Sequence, residues 1–183
     1  LTDREIIATA AFLLIAGFET TVNLLAVGTM VLLQHRDQLQ LVAGNHELVP
    51  NLVEEALRIV SPVQYTARTA AADAELPDGT RVRRGQTIVL LLAGANRDPN
   101  VFDRPNAFLI NRENARKHVA FGYGAHHCIG AQLAHIEAEE FWRELLVRYP
   151  EVDTWKLVAT PIPRQGKTIR GLDRMPVSFG KKK

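Results

Sequence analysis

From Ile6 to Leu33 the chain is apolar and free of proline, and the run continues to His35 before its texture changes. No other feature limits the fold as strongly. With Thr2 and Asp3 as cap residues ahead of it, the spacing predicts one helix of about 33 residues and roughly 50 Å, long enough to cross a whole domain. A run this apolar also meets the length criterion of a membrane span. Glu19, Thr20, Thr21 and Asn23 stand at its middle, however, and a carboxylate at that depth is costly in lipid. A helix buried inside protein is the expectation, and no membrane is predicted.

The remaining segments are shorter. Arg36 to Ala43 reads as a second helix ended by Gly44, and a third runs from near Glu47 until Ser61-Pro62 stops it. Residues 1–62 are thus helical. Between Val63 and Leu92 the sequence alternates and turns, with Pro77-Asp78-Gly79 and Arg84-Gly85 as turn signals, so residues 63–92 are read as short antiparallel strands. Ala93 to Asp98 offers one more helical turn. Residues 93–127 otherwise form a long ordered loop, which in a compact domain has a functional reason. Apolar residues then recur at helical spacing from Ala131 to Tyr149, a last long helix placed at 128–150, and residues 151–183 close the chain with a hairpin. The fold class is mainly α with small antiparallel β-sheets.

Composition removes several functions. A single Cys excludes a disulfide framework and a Cys-rich zinc site, and fits a reducing cytosol. A net charge of +2 implies no nucleic-acid partner, and Lys181 to Lys183 read as a solvated tail. The chain begins at Leu1 with a mixed-charge stretch unlike a secretory leader, and looks like part of something longer.

The chemistry concentrates in Phe121-Gly122-Tyr123-Gly124-Ala125-His126-His127-Cys128-Ile129-Gly130, just before the last helix. A cysteine at a helix N-terminus meets the positive end of the dipole and unpaired amides, which favour a thiolate. Gly124 and Gly130 let the backbone turn tightly against a flat ligand, and Phe121 sets an aromatic face beside the sulfur. A thiolate so held is a good axial ligand for haem iron.

Phe121, Gly124, His126, Cys128 and Gly130 resemble the cysteine-ligand loop, Phe-x-x-Gly-x-[His/Arg]-x-Cys-x-Gly, of the cytochrome P-450 haem-thiolate monooxygenases. Two further motifs lie upstream in the family's order. Ala16-Gly17-Phe18-Glu19-Thr20-Thr21 is similar to its oxygen-activation motif, with Glu19 and Thr20 as acid and alcohol. Ala16 and Thr20 share a helix face and Gly17 leaves room beside them. Helical Thr also commonly bonds a carbonyl one turn back. Glu55-Ala56-Leu57-Arg58 resembles the family's Glu-x-x-Arg pair, which the resemblance completes with Arg112 as a structural ion network.

The resemblance implies further assignments. Cys128 ligates the iron of haem b; Ala16, Gly17, Arg68, Phe121, Gly122, Gly124, His126 and Gly130 contact the cofactor, with Arg68 and His126 on its propionates. Asn96-Arg97-Asp98-Pro99 is a structural segment. His127 stands where the family more often has an apolar or aromatic residue. His35, His46, His118 and His135 are surface or packing residues, and with one Cys and no spaced His partner zinc is not expected. The implied activity is O2-dependent hydroxylation of an apolar organic substrate. Electrons derived from NAD(P)H arrive through a ferredoxin reductase and a ferredoxin, as in bacterial soluble members of the cytoplasm. Arg112, Arg116 and Lys117 offer that acidic partner a basic surface, from which Arg112 is withdrawn if the ion network buries it.

The match runs from the central helix to the closing hairpin but covers only the C-terminal half of the family's sequence. The missing N-terminal half would supply earlier helices and most substrate contacts, and without it the first helix exposes apolar faces. Three other readings follow: a peroxide-driven member, disfavoured by the retained Glu19-Thr20; a haem-free fragment serving as an interaction or folding module; and, more remotely, a thiol hydrolase using Cys128 and His127.

Overall fold

In the computed structural model, which describes residues 1–181, the first helix α1 spans Asp3–Gln34. It opens on a capping box: Glu5 N–H donates to Thr2 Oγ1 at 3.3 Å, and Thr2 N–H donates to the Glu5 carboxylate at 2.7 Å. Burial along α1 is divided. Asn23, Leu24, Val27, Gly28, Thr29 and Val31 to Leu33 are enclosed, whereas Phe12, Leu14, Ile15 and Phe18 are 66–70% exposed. The expectation of a helix buried inside protein therefore holds for the second half alone, and the first half shows the exposed apolar faces expected of it without the earlier helices. The second half is part of a protein core.

Helix α2 (Arg36–Gly44) follows at once, and a 3-10 turn at His46–Leu48 leads into α3 (Val49–Val60), whose Pro50 sits in the first turn where its missing N–H costs nothing. Ser61 ends α3 in the left-handed region at φ 42 and turns its hydroxyl back onto Arg58 O at 3.0 Å. Strands β1 (Thr66–Thr69), β2 (Ala74–Glu75), β3 (Arg81–Val82) and β4 (Thr87–Leu90) form two antiparallel pairs, β2–β3 and β1–β4, the latter with Thr66 opposite Leu90.

Helix α4 is shorter than expected, Leu92–Ala95, and Asn96 to Asp98 continue in turns. The loop beyond it is ordered through side chains that satisfy its backbone. Helix α5 spans Ala131–Arg148, so Cys128 to Gly130 precede the helix rather than open it. The tail holds two nested antiparallel pairs: β5 (Lys156–Leu157) with β8 (Val177–Ser178), and inside them β6 (Ile162–Pro163) with β7 (Leu172–Arg174). Lys182 and Lys183, two thirds of the expected solvated tail, lie outside the described residues.

The core lies where α1, α3 and α5 cross. Trp142 of α5 is 1% exposed, and its indole N–H donates to Thr29 Oγ1 at 3.2 Å. Gly28 makes room for it: a Cβ there would lie 2.7 Å from Trp142 Cζ2. Leu24, Val27, Leu52, Ala56 and Leu145 pack around this crossing. Gly28→Val should therefore force the indole off its rotamer and cost about 1–3 kcal/mol, read as a lowered midpoint in urea unfolding with an unchanged slope.

Candidate functional site

The buried charges of α3 fix the scaffold of the site. Glu55 and Arg58 are both 0% exposed and form a two-pronged pair, with Arg58 Nε and Nη2 each 2.8 Å from a Glu55 oxygen. Burying two charges is tolerable only if their remaining lone pairs and protons are used. They are. Arg58 also donates to the carbonyls of Asn96 (2.9 Å), Pro105 (2.8 Å) and Ala107 (2.8 Å), and lies 5.1 Å above the Phe102 ring. Glu55 accepts from Leu109 N–H at 2.9 Å and from Arg112 Nε at 3.2 Å, while Arg112 donates onward to Asp103 O and Arg104 O. The three residues thus gather the loop from Asn96 to Leu109. Arg112, at 5% side-chain exposure, is withdrawn from the basic surface expected of Arg112, Arg116 and Lys117.

That loop leads into the cysteine segment. Asn96 is buried; its amide donates to Ser61 Oγ at 2.8 Å and its oxygen accepts from Val119 N–H at 2.7 Å, which pins the entry to Phe121. Gly122 and Gly124 have φ of 73 and 69, values an L side chain rarely adopts, and they fold the segment back so that Cys128 N–H donates to Phe121 O at 2.9 Å. Cys128 is the single free cysteine and is exposed. His126 ends a 3-10 turn (Gly124–His126) and is exposed, as are His127, Ile129 (90%) and Tyr123 (88%). Gly130 packs near the sulfur: a Cβ there would lie 3.9 Å from Cys128 Sγ.

On α1, Thr20 donates to Ala16 O at 2.7 Å, the bond back by one turn, and space around Gly17 is open. Glu19 is held by an ion pair with Arg164, a partner that sequence reading missed because it lies 145 residues away. Arg68 is half-buried on β1 and donates to Ala67 O and Thr66 Oγ1.

A second unforeseen cluster surrounds Glu54. His118 Nε2 lies 3.1 Å and His135 Nε2 3.3 Å from its carboxylate, with Arg116 at 3.4 Å. Two residues read as surface or packing positions thus clamp one acid, while the Phe121 ring packs 5.2 Å from His135 and 6.0 Å from His118. The available signal was slight: Glu54 stands beside Glu55 on α3, and His118 and His135 flank the cysteine segment on either side. Burial alone would raise the Glu54 carboxyl, but hydrogen bonds from His118 and His135 outweigh it and bring it down from 4.5 to about 2. His135 is raised above 6.5 by its bond to Glu54, against burial, with help from Ala131 O and the Glu139 charge.

The family model for cytochrome P450 matches residues 1–166 of the chain. Cytochrome P450 140 of Mycobacterium tuberculosis is 44% identical over 180 residues, which cover 98% of this chain and 40% of that protein. The biotin biosynthesis cytochrome P450 of Bacillus subtilis is 41% identical over 179 residues, 98% of this chain and 44% of that one. Among solved structures, P450BioI in complex with an acyl carrier protein ligated to hexadec-9Z-enoic acid superimposes with a TM-score of 0.91 at 40% identity, covering 98% of this chain and 46% of that chain. The chain belongs to the cytochrome P450 family and has its fold, and it spans less than half the length of the curated relatives it matches.

The Glu54 cluster makes a pH prediction. A lowered carboxylate contributes above 4.5 and is lost as pH falls toward 2; a raised imidazole contributes below 6.5 and is lost as pH rises through its folded value. The melting temperature of Glu54→Gln should therefore fall short of the unmodified chain most between pH 4.5 and 6.5, by roughly 2–4 °C, with the gap narrowing on either side. A gap independent of pH would show that the clamp carries no charge.

Proposed function

We propose that this chain is the haem-binding half of a haem-thiolate monooxygenase that hydroxylates an apolar organic substrate with O2. The observation that carries the reading is an exposed thiol on a loop folded back by two left-handed glycines and anchored, through Asn96 and Phe121, to a buried ion network. A haem needs one axial protein ligand rather than a metal-ligating cluster, and no such cluster occurs among the described residues. The donors fit the group. Cys128 supplies the sulfur, the exposed apolar side chains of Ile129, Leu133 and Ile136 offer a surface for a flat macrocycle, and the half-buried guanidinium of Arg68 and the exposed imidazole N–H of His126 suit its carboxylates.

When bound, the haem supplies O2 activation, and thiolate donation promotes cleavage of the oxygen bond. The chain's own residues do the rest. Thr20 is the alcohol and Glu19 the acid that hold and move protons beside the open space at Gly17. Glu55, Arg58 and Arg112 keep the cysteine segment in register. Apolar organic substrates accord with relatives named for biotin biosynthesis, polyketide biosynthesis and steroid C26 oxidation. Electrons come from NAD(P)H through a ferredoxin reductase and an acidic ferredoxin docking at Lys117 and Arg116 in the cytoplasm.

The exposed apolar half of α1 favours one alternative, a chain that holds haem only with its N-terminal counterpart in place. A single spectrum separates the two. With hemin added, the dithionite-reduced chain should give the red-shifted Soret band of a thiolate-ligated ferrous carbonyl, and Cys128→Ser should abolish it. A band typical of nitrogen ligation, or no band, would assign haem binding to the longer assembly.

A further inference from the structure

Past its first turn, α1 carries one carboxylate, Glu19, and a guanidinium from the closing hairpin meets it: Arg164 Nη1 donates to Glu19 Oε1. Arg164 lies just beyond β6, where its N–H donates to Gly171 O at 3.0 Å. Its Nε–H is committed elsewhere, to Asp173 Oδ1 at 3.0 Å. Asp173 owes its position to an irregularity in the ladder. Ile162 pairs with Arg174 and Pro163 with Leu172, so β7 carries one residue more than β6, and Asp173 is that residue. A bulge of this kind re-aims a side chain.

The hairpin has a second seat on α1. Gly171 approaches so closely that a Cβ there would lie 2.0 Å from Asn23 Oδ1, and Asn23 is 1% exposed with no partner for its Nδ2. Asn23 follows Glu19 by four residues, so both seats lie on one helix face a turn apart. Behind them a cavity of about 260 Å3, bordered by Val27, Met30, Arg164 and Leu172, separates the hairpin from the helix. Gly171 therefore sets the distance between hairpin and helix, and Arg164 reaches Glu19 across it. An ion pair this open to water adds little stability, so what it supplies is orientation, and it exchanges readily.

We propose that Arg164 is a positioning residue for Glu19, holding the carboxylate toward the hairpin, with Asp173 retaining the guanidinium whenever Glu19 turns away. The supply of protons beside Thr20 is then set by how readily the Glu19–Arg164 pair opens. The inference rests on the reading of Glu19 and Thr20 as acid and alcohol, and the test separates the two.

In the haem-free chain, 15N NMR of the Arg164 side chain should show separated Nη signals from hindered rotation. Glu19→Gln should merge them, and Asp173→Asn should move the Nε signal instead. Signals indifferent to Glu19→Gln would overturn the pair. In the haem-loaded protein, Arg164→Met should raise by about threefold the share of reducing equivalents lost as hydrogen peroxide and change the pH profile of O2-driven turnover. Turnover driven by added hydrogen peroxide, which brings its own protons, should stay unchanged, and Arg164→Lys should restore coupling. Equal loss in both reactions would reduce Arg164 to a structural residue and overturn the proposal. If Glu19→Gln uncouples the enzyme and Arg164→Met does not, the inference fails while the acid and alcohol reading stands; if neither uncouples it, that reading fails as well.

Discussion

The carboxylate of Glu55, enclosed at the centre of α3, is the constraint on which the rest of the molecule depends. A buried charge left unpaired costs several kcal/mol, so its two oxygens must collect every available donor. They do so from Arg58 one turn on, from Arg112, and from the backbone of Leu109. Each guanidinium then has protons to spare, and these go to carbonyls of a loop that forms no regular ladder of its own. The irregular segment from Asn96 to Leu109 thereby acquires a single conformation without a sheet or helix. The order of the loop is electrostatic in origin, and the cysteine segment inherits it through Asn96 and Val119.

The same network explains the division of labour among basic residues. Arg112 is consumed internally, and Arg116, although its side chain is 75% exposed, leans on Glu54. What remains free there is a smaller and less basic surface than a count of arginines implies. Beside it, the Glu54 clamp joins α3 to both sides of the cysteine segment, through His118 before it and His135 after it. Phe121 fills the space between those imidazoles, so the aromatic face that precedes the sulfur is held by packing as well as by backbone bonds.

Much of this was legible from local pattern. The long first helix, its Thr2 cap, the stop at Ser61-Pro62, the short antiparallel pairs and the last helix all follow from periodicity and turn chemistry. The Glu55–Arg58 spacing placed both groups on one face, and the resemblance supplied Arg112. Contacts between residues distant in sequence and unmarked by motif were not legible. Arg164 meeting Glu19, His118 and His135 meeting Glu54, and Gly28 admitting Trp142 each depend on how two elements cross. Periodicity says which face of α1 is apolar. It does not say that the enclosed part begins near Asn23 and that Phe12 to Phe18 stay open to solvent.

That break in burial carries its own argument. Glu19 and Thr20 stand at the boundary, with packed core on one side and uncovered apolar helix on the other. A carboxylate deep in the core would have to be paired permanently, as Glu55 is, and one in free solvent would be indifferent to its neighbours. At the boundary it is held by a guanidinium that is itself shared with Asp173. The chain thus uses two acids in opposite ways. Glu55 is locked so that a loop keeps its shape, whereas Glu19 is held loosely enough to change partners, and the difference lies in how far along the α1 and α3 crossing each one falls.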